Sequence, residues 1–321
     1  MHAPADRLEA LLGADAVRVT GEPTLVESHS NDTWLATTPD GLEVVVRVCW
    51  IGDRERILRE AAVGRALPAE VGYPEVLGSG ALRVGGEPIT WMTSRRLTGG
   101  TLRAVWDDLD EPQRERALRA VARPLSALHA WRPRPEIAAR LGPPPASSDP
   151  QTILGRTILP LPLDRVRHLV GPAAERAGAH RTLVERAWHW LVDHADLLPR
   201  LDDPADVITH GDLHLDNVWW DGDRVTGLLD LEWVRWAPAW TDLVPVRDNA
   251  LAGDDFSGPH ARLLVALRAE LPALEVPELE RRLTAVEIAF QLRQLLVWPA
   301  PGPDPAVDHP IELLRRLPVT V

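Results

Sequence analysis

The sequence predicts an α+β chain in which an antiparallel sheet comes first and helices dominate the remainder. Three observations lead there. Residues 23–48 hold three short apolar runs separated by turn residues, which is the pattern of a strand meander. The stretches near 111–131, 176–198, 259–270 and 277–297 repeat apolar residues at three- and four-residue spacing, which is helical. Between those helical groups, Val207–Trp220 and Gly227–Trp233 read as two apolar strands with polar ends, joined by the Asp221-Gly222-Asp223 turn.

A length of 321 residues corresponds to about two domains and is ample for a sizeable core. Every one of the 35 basic residues is an arginine, so any side-chain cation in a site other than histidine must be a guanidinium. The net charge of −12 and pI of about 5.4 argue against affinity for nucleic acid or an anionic membrane, both of which need a basic face. Cys49 is the single cysteine, which excludes a disulfide framework and a thiolate metal site. No basic segment followed by an apolar one opens the chain, and no apolar run approaches the ~20 residues of a membrane span, so the expected location is the cytoplasm.

Taken in order, Asp6–Leu12 is a short helix stopped at Gly13. Strands follow at Pro23–Glu27, Asp32–Thr37 and Leu42–Val48, the last two joined by Pro39-Asp40-Gly41. Residues 53–67 form a helix with Ile57, Leu58, Ala61, Ala62 and Leu67 on one face, ended by Pro68. Glu75–Gly80 and Glu87–Thr93 supply further strands, and Gly99-Gly100 closes the region. Asp110 then starts a helix with Pro112 in its first turn, and Pro124 predicts a kink before the helix ends at Leu128-His129-Ala130-Trp131. His129 is expected to pack or cap. Residues 132–150, rich in proline, read as a surface loop, and 176–198 as a long amphipathic helix whose histidines have no metal spacing. No internal repeat is present.

The chemistry concentrates in His210-Gly-Asp-Leu-His-Leu-Asp-Asn217 and Leu228-Leu-Asp-Leu-Glu232. The hairpin would hold Asp212, Asn217 and Asp230 at neighbouring strand ends, and their oxygen atoms suit Mg²⁺ better than zinc. An Asp followed by four residues and an Asn is also the pattern of the protein-kinase catalytic loop, where the Asp receives a hydroxyl proton and the Asn holds metal. His210 and His214, four apart, lie on a strand end and loop and are read as supports of that loop. Asp216 and Glu232 are either carboxylates supporting the ligands or contacts for a cationic substrate.

These two segments resemble the aminoglycoside phosphotransferase and choline kinase-like family of small-molecule kinases. The resemblance implies a bilobal, protein-kinase-like fold: an N-terminal nucleotide-binding lobe over residues 1–95, an antiparallel sheet with one helix, and a larger, mainly helical catalytic and substrate-binding lobe over 96–321. It implies Asp212 as catalytic base and Asn217 and Asp230 as Mg²⁺ ligands. Arg47, near the end of the third strand, falls where the family carries a cation for the nucleotide phosphates, and a guanidinium clasps phosphate bidentately. Glu60 is the candidate partner for that cation on the following helix, with Glu55 the alternative. Ser94 through Leu97, including Arg96, correspond to the hinge that reads the purine. Ser28–Asn31 stands where a glycine-rich phosphate cover is expected; without a glycine it is either a plain turn or a cover that works through backbone N–H groups, Ser30 and Asn31.

The function expected from this is transfer of the γ-phosphate of ATP or GTP to a hydroxyl of a small substrate, an antibiotic foremost. A metabolic acceptor of the choline, homoserine or sugar type is the alternative, and an inactive kinase-like binding protein is the other class. Acidic patches suit a cationic acceptor. The Trp219, Trp220, Trp233, Trp236 and Trp240 group, mostly core, suits a heterocyclic one if one or two form a stacking wall.

Overall fold

The computed structural model describes residues 3–26, 31–141, 147–156, 161–200 and 206–317. Its first part is built on α1 (Pro4–Gly13), strands β1 (Thr20–Val26), β2 (Asp32–Thr37) and β3 (Glu43–Cys49), α2 (Arg56–Gly64), and strands β4 (Val76–Val84) and β5 (Glu87–Arg95). The five strands make one antiparallel sheet in the order β1-β2-β3-β5-β4. The two-residue period of β3 sorts its side chains. Val44, Val46 and Val48 pack with Leu8 and Leu11 of α1, together with Trp34 and Trp91. On the opposite face Cys49 packs with Ile57, Ala61 and Met92, so Arg47 shares the side that α2 covers.

The second part begins with β6 (Gly100–Thr101) and continues through α3 (Glu111–Ala120), α4 (Ala122–Ala130), α5 (Pro135–Ala138), α6 (Pro150–Arg156), α7 (Leu163–Ala177) and α8 (Arg181–Asp193). Four short strands follow: β7 (Val207–Thr209), β8 (Val218–Trp220), β9 (Val225–Leu228) and β10 (Arg235–Ala237). The chain then turns into α9 (Leu243–Leu251), α10 (Ser257–Glu270), α11 (Leu279–Val297) and α12 (Pro310–Arg316). Its core centres on α11, which packs against α7, α8, α9 and α12.

Asp110 caps α3 reciprocally: its carboxylate accepts from the Gln113 N–H and the Gln113 side chain accepts from the Asp110 N–H, each at 2.8 Å. The kink expected at Pro124 is a full break, with α3 and α4 meeting at Val121. Proline has no N–H to give the Ala120 carbonyl, and that missing bond falls where the helix divides. Two expectations need correction. The stretch 132–150 contains the one-turn α5 and the start of α6, and the helix expected over 176–198 is the end of α7, a turn at Gly178–His180, then α8. Among the described residues no helix is long and apolar enough to cross a membrane.

Candidate active site

The loop 210–217 leaves β7 and enters β8. Antiparallel pairing of β7 with β10, Thr209 opposite Arg235, fixes one end, and pairing of β8 with β9 fixes the other. From behind, the fully buried Asp242 accepts from the backbone N–H of His210 at 3.1 Å, of Gly211 at 2.9 Å, and from His129 Nε2 at 2.8 Å. Burial pushes this carboxyl up, but His129, His210 and the Gly211 N–H outweigh it and hold it below the usual range. His129 is thus a support of the loop through Asp242. Gly211 adopts φ +81°, and a Cβ there would meet Arg235 Nη2 at 2.4 Å and the Trp233 carbonyl at 2.5 Å, so only glycine fits.

Asp212 keeps about a third of its side chain exposed at 34%. Burial of the rest raises its pKa, whereas His214, His210 and Arg235 lower it, and the net shift is downward. The carboxylate is therefore ionised at neutral pH, as an acceptor of a hydroxyl proton must be. His214 lies 3.8 Å from Asp212 and 3.6 Å from Asp216. Burial disfavours its imidazolium, yet the two carboxylates prevail and push it up to about 10. Asn217 Nδ2, 3.0 Å from His214 Nε2, pulls the other way by favouring a neutral, accepting ring; two charges outweigh one amide. His210 is buried and shifted down, and its Nδ1 accepts from the Asp212 N–H at 3.3 Å. His260 of α10 accepts the Leu215 N–H at 3.3 Å while its Nδ1 donates to the Phe256 carbonyl at 2.8 Å. Both expected loop histidines thus support the loop, and a third was not visible in the sequence.

Asn217 donates from Nδ2 to the Asp212 carbonyl at 2.8 Å, while its own carbonyl accepts from Leu229 N–H at 2.8 Å. That ladder bond sets Asn217 beside the Leu229–Asp230 step. Asp230 takes the left-handed conformation, φ +58°, and the chain then turns through a 3-10 segment, Leu231–Trp233. The turn carries Glu232 inward, where its carboxylate meets the same Arg47 Nη2 as Asp230.

Arg47 ties the two parts of the molecule together. Its Nη1 donates to both Glu60 oxygens at 2.9 and 2.7 Å, and its Nη2 to Asp230 Oδ1 at 2.6 Å and more weakly to Glu232 Oε2 at 3.4 Å. Burial disfavours the cation, but Glu60, Asp230 and Glu232 more than compensate and drive its pKa upward. Glu60, not Glu55, is the helical partner: it is fully buried and also accepts from Tyr73 Oη at 2.8 Å and Leu231 N–H at 2.9 Å. Oxygens of Glu60, Asp230 and Glu232 approach within 4.8 Å of one another, a grouping a cation could occupy. Here the guanidinium fills it. Burial and Asp230 push Glu232 up to about 7 against the pull of Arg47 and Arg56.

Of the remaining expected residues, Ser30 lies outside the described residues. Asn31 is buried, donates to Glu232 Oε2 at 3.1 Å and accepts from Arg56 Nη2 at 3.1 Å. Ser94, buried on β5, pairs with Val45 on one side and Val76 on the other. Arg96 donates its backbone N–H to the Glu43 carbonyl at 3.0 Å and its Nη1 to the Glu43 side chain at 2.9 Å. Beyond the hinge, Trp219 Nε1 donates to the Thr98 carbonyl at 2.8 Å. Trp220 and Trp240 are core, while Trp219, Trp233 and Trp236 are half-buried.

Tyr73, Arg56, Arg235 and His260 escaped sequence reading because each acts through the fold rather than a motif. For Asp242 a signal does exist: Thr241-Asp242-Leu243 resembles the Asp-Leu that follows the metal strand in the small-molecule kinase family.

Asn217 and Asp230 fit a hard divalent cation: both offer oxygen, Asn217 uses only its Nδ2 in the hydrogen bonds above, and Asp230 has 29% of its side chain exposed. They would hold Mg²⁺, whose part is to neutralise phosphate oxygens.

A sheet lobe joined to a helical lobe, with an ionised carboxylate, an Asn–Asp pair and an Arg–Glu pair between them, defines a kinase-like phosphotransferase that acts on a hydroxyl group. The chain belongs to the phosphotransferase enzyme family, whose model matches residues 24–279. No curated protein matches the chain. Among solved structures, a thermostable variant of aminoglycoside phosphotransferase APH(4)-Ia in ternary complex with ADP and hygromycin B is similar, with 20% identity, TM-score 0.64 and coverage of 96% of this chain and 98% of that one. Macrolide 2′-phosphotransferase type I is 19% identical, with TM-score 0.55 and coverage of 91% and 90%. The amicoumacin kinase hAmiN, in complex with AMP-PNP, Ca²⁺ and Ami, is 12% identical, with TM-score 0.61 and coverage of 100% and 98%.

Proposed function

We propose that the enzyme moves the γ-phosphate of ATP or GTP to a hydroxyl of a small antibiotic in the cytoplasm. In this reading, residues 1–95 bind the nucleotide and 96–321 supply the base and acceptor pocket. The observation that carries it is an ionised Asp212 fixed on a loop whose other end, Asn217, is laddered to the Asp230 turn that Arg47 and Glu60 hold. Asp212 orients the acceptor hydroxyl and takes its proton as the oxygen attacks the γ-phosphorus; the nucleoside diphosphate leaves. Arg47 holds the nucleotide phosphates, and Asn217 with Asp230 would hold Mg²⁺. Positioning and charge neutralisation are what such a reaction asks of a protein. Bound nucleotide and antibiotic in the similar proteins support this donor and acceptor class.

The test is phosphate transfer from labelled ATP and GTP, with Mg²⁺, against a panel of antibiotics and of choline, homoserine and sugar-type metabolites. Transfer to an antibiotic is expected. Transfer to a metabolite alone would replace the acceptor, and no transfer to anything with no nucleotide binding would overturn the reading.

A further inference from the structure

Behind the contacts of Arg47, Glu60 and Asp230 the two lobes meet backbone to backbone. The segment after α2 makes a 3-10 turn, Ala69–Val71, and passes through Gly72 at φ +74°. A Cβ on Gly72 would stand 2.0 Å from the Thr226 carbonyl oxygen, and one on Gly227 of β9 would stand 2.2 Å from the Gly72 carbonyl oxygen. Side chains do not come that close to backbone in a packed interior, so any side chain at either position would drive the two segments apart. Val63 and Val71, on this stretch of chain, are buried in the same core as Leu228 of β9, which seats the segment on the helical lobe.

Both segments lead to the site. Gly72 is followed by Tyr73, whose ring lies so near Gly64 that a Cβ there would stand 2.4 Å from it, and whose Oη donates to Glu60 Oε1 at 2.8 Å. Gly227 runs through Leu228 and Leu229 to Asp230, and the N–H of Leu231 donates to the same Glu60 oxygen at 2.9 Å. The separation of the two backbones therefore sets how near the Asp230 turn comes to Glu60 and to Arg47, whose Nη2 is 2.6 Å from Asp230 Oδ1. Relieving a 2.2 Å contact to an ordinary one of about 3.5 Å moves the segments by roughly 1 Å, enough to cost about 10²-fold in rate when it misplaces reacting groups.

We propose that Gly72 and Gly227 are positioning residues: their backbone contact is the spacer that holds α2, with Glu60 and its partner Arg47, at the working distance from the Asp230 turn. The inference rests on the kinase reading and gives a part in it to two glycines on which neither motif bears.

The test follows hydrogen exchange amide by amide, by nuclear magnetic resonance, in the full chain without nucleotide. Two amides are compared: that of Leu231, which crosses between the lobes to Glu60, and that of Leu229, which stays within the helical lobe by donating to the Asn217 carbonyl at 2.8 Å. In the natural protein the two are expected to exchange within about tenfold of each other, because the contact keeps the lobes from parting there. Gly227 lies outside the left-handed region, so Gly227→Ala disturbs the contact alone. In that variant Leu231 is expected to exchange more than about tenfold faster than Leu229, a split that a general loss of stability would not produce. Phosphoryl transfer from ATP to the acceptor that the antibiotic and metabolite panel identifies is expected to lose about 10²-fold in kcat, with the acceptor KM unchanged. Gly222→Ala is the control: in the turn of the same hairpin, at φ +105° and with nothing within 4 Å of an added Cβ, it strains the backbone without a clash. It is expected to lower the thermal midpoint while the two amides stay together and kcat holds. Equal exchange of the two amides in Gly227→Ala, or the same split in Gly222→Ala, would overturn the inference and leave the kinase reading in place. Should Gly227→Ala not fold, the natural protein decides: matched amides support the spacer, and a Leu231 amide that exchanges far faster than that of Leu229 overturns it. Natural protein that binds no nucleotide and transfers no phosphate would overturn both.

Discussion

Two buried clusters of arginine and carboxylate can be set side by side. In the one between the lobes, Glu60 accepts from Arg47, Tyr73 and the Leu231 N–H, and Glu232 accepts from Asn31. In the one inside the helical part, Arg247 of α9 donates to Thr284 at 3.1 Å and stands 3.2 Å from Glu287 of α11, and Gln291 donates to Asp248 at 2.7 Å. Glu287 is as buried as Glu232, yet neither of its oxygens accepts a hydrogen bond among the described residues. Burial pushes Glu287 up to about 8 despite Arg247. Asp248 is pushed up to about 7 by burial and the charge of Asp212. Burial thus raises carboxylates in both clusters, Glu232 to about 7 in the first and Asp248 to about 7 and Glu287 to about 8 in the second; the difference is that donors converge on Glu60 and Glu232, whereas Glu287 accepts none among the described residues.

The contrast can be broken or sharpened by substitution. Arg47→Met removes the cation of the first cluster and leaves Glu60 and Asp230 facing each other unpaired. A loss of about 3–5 kcal/mol is expected for breaking a buried pair this way, read from denaturant midpoints. A loss as small as that of an exposed ion pair would show that the first cluster is no better built than the second. Asp242→Asn is the next largest. An amide cannot accept from three donors as the carboxylate does, so about 1.5–3 kcal/mol should be lost, with a fall in turnover as the loop loosens.

Asp248→Asn is the smallest and depends on pH. In the folded chain Asp248 keeps its proton up to about 7, while in the unfolded chain it gives it up near ~3.9. Between those values the folded state holds the extra proton, so this group removes stability as pH rises through the window. The variant should therefore gain in melting temperature relative to the natural protein more at about pH 8 than at about pH 4. An equal difference at both would mean that Asp248 ionises normally.

The same divide governs how much was legible in the sequence. The sheet was legible because its apolar runs are separated by turn residues; which of them face α1 and which α2, Val44, Val46 and Val48 on one side and Arg47 on the other, was settled only by folding. Asp212, Asn217 and Asp230 were legible as a group because all three fall in two short polar segments separated by a single turn. Arg47 with Glu60 could be placed through the family plan, and the structure joins them. Illegible were the groups joined only by folding: Arg56 and Asn31 to Glu232 across some two hundred residues, His129 to Asp242, and His260 to the Leu215 N–H. Helix α9 was missed because Leu243, Val244, Pro245 and Val246 are all buried in succession, which leaves no helical period to read.

In the proposed reaction Asp212 acts on the acceptor and not on the nucleotide. This is tested most directly by comparing the natural protein with Asp212→Asn for Mg²⁺-dependent nucleotide binding and for phosphoryl transfer to an identified acceptor, in the same buffer. Nucleotide affinity is expected to stay unchanged within error and transfer to slow by about 10²–10⁴-fold, the usual contribution of a positioned base. Transfer at the natural rate, or a loss explained entirely by weaker nucleotide binding, would contradict it.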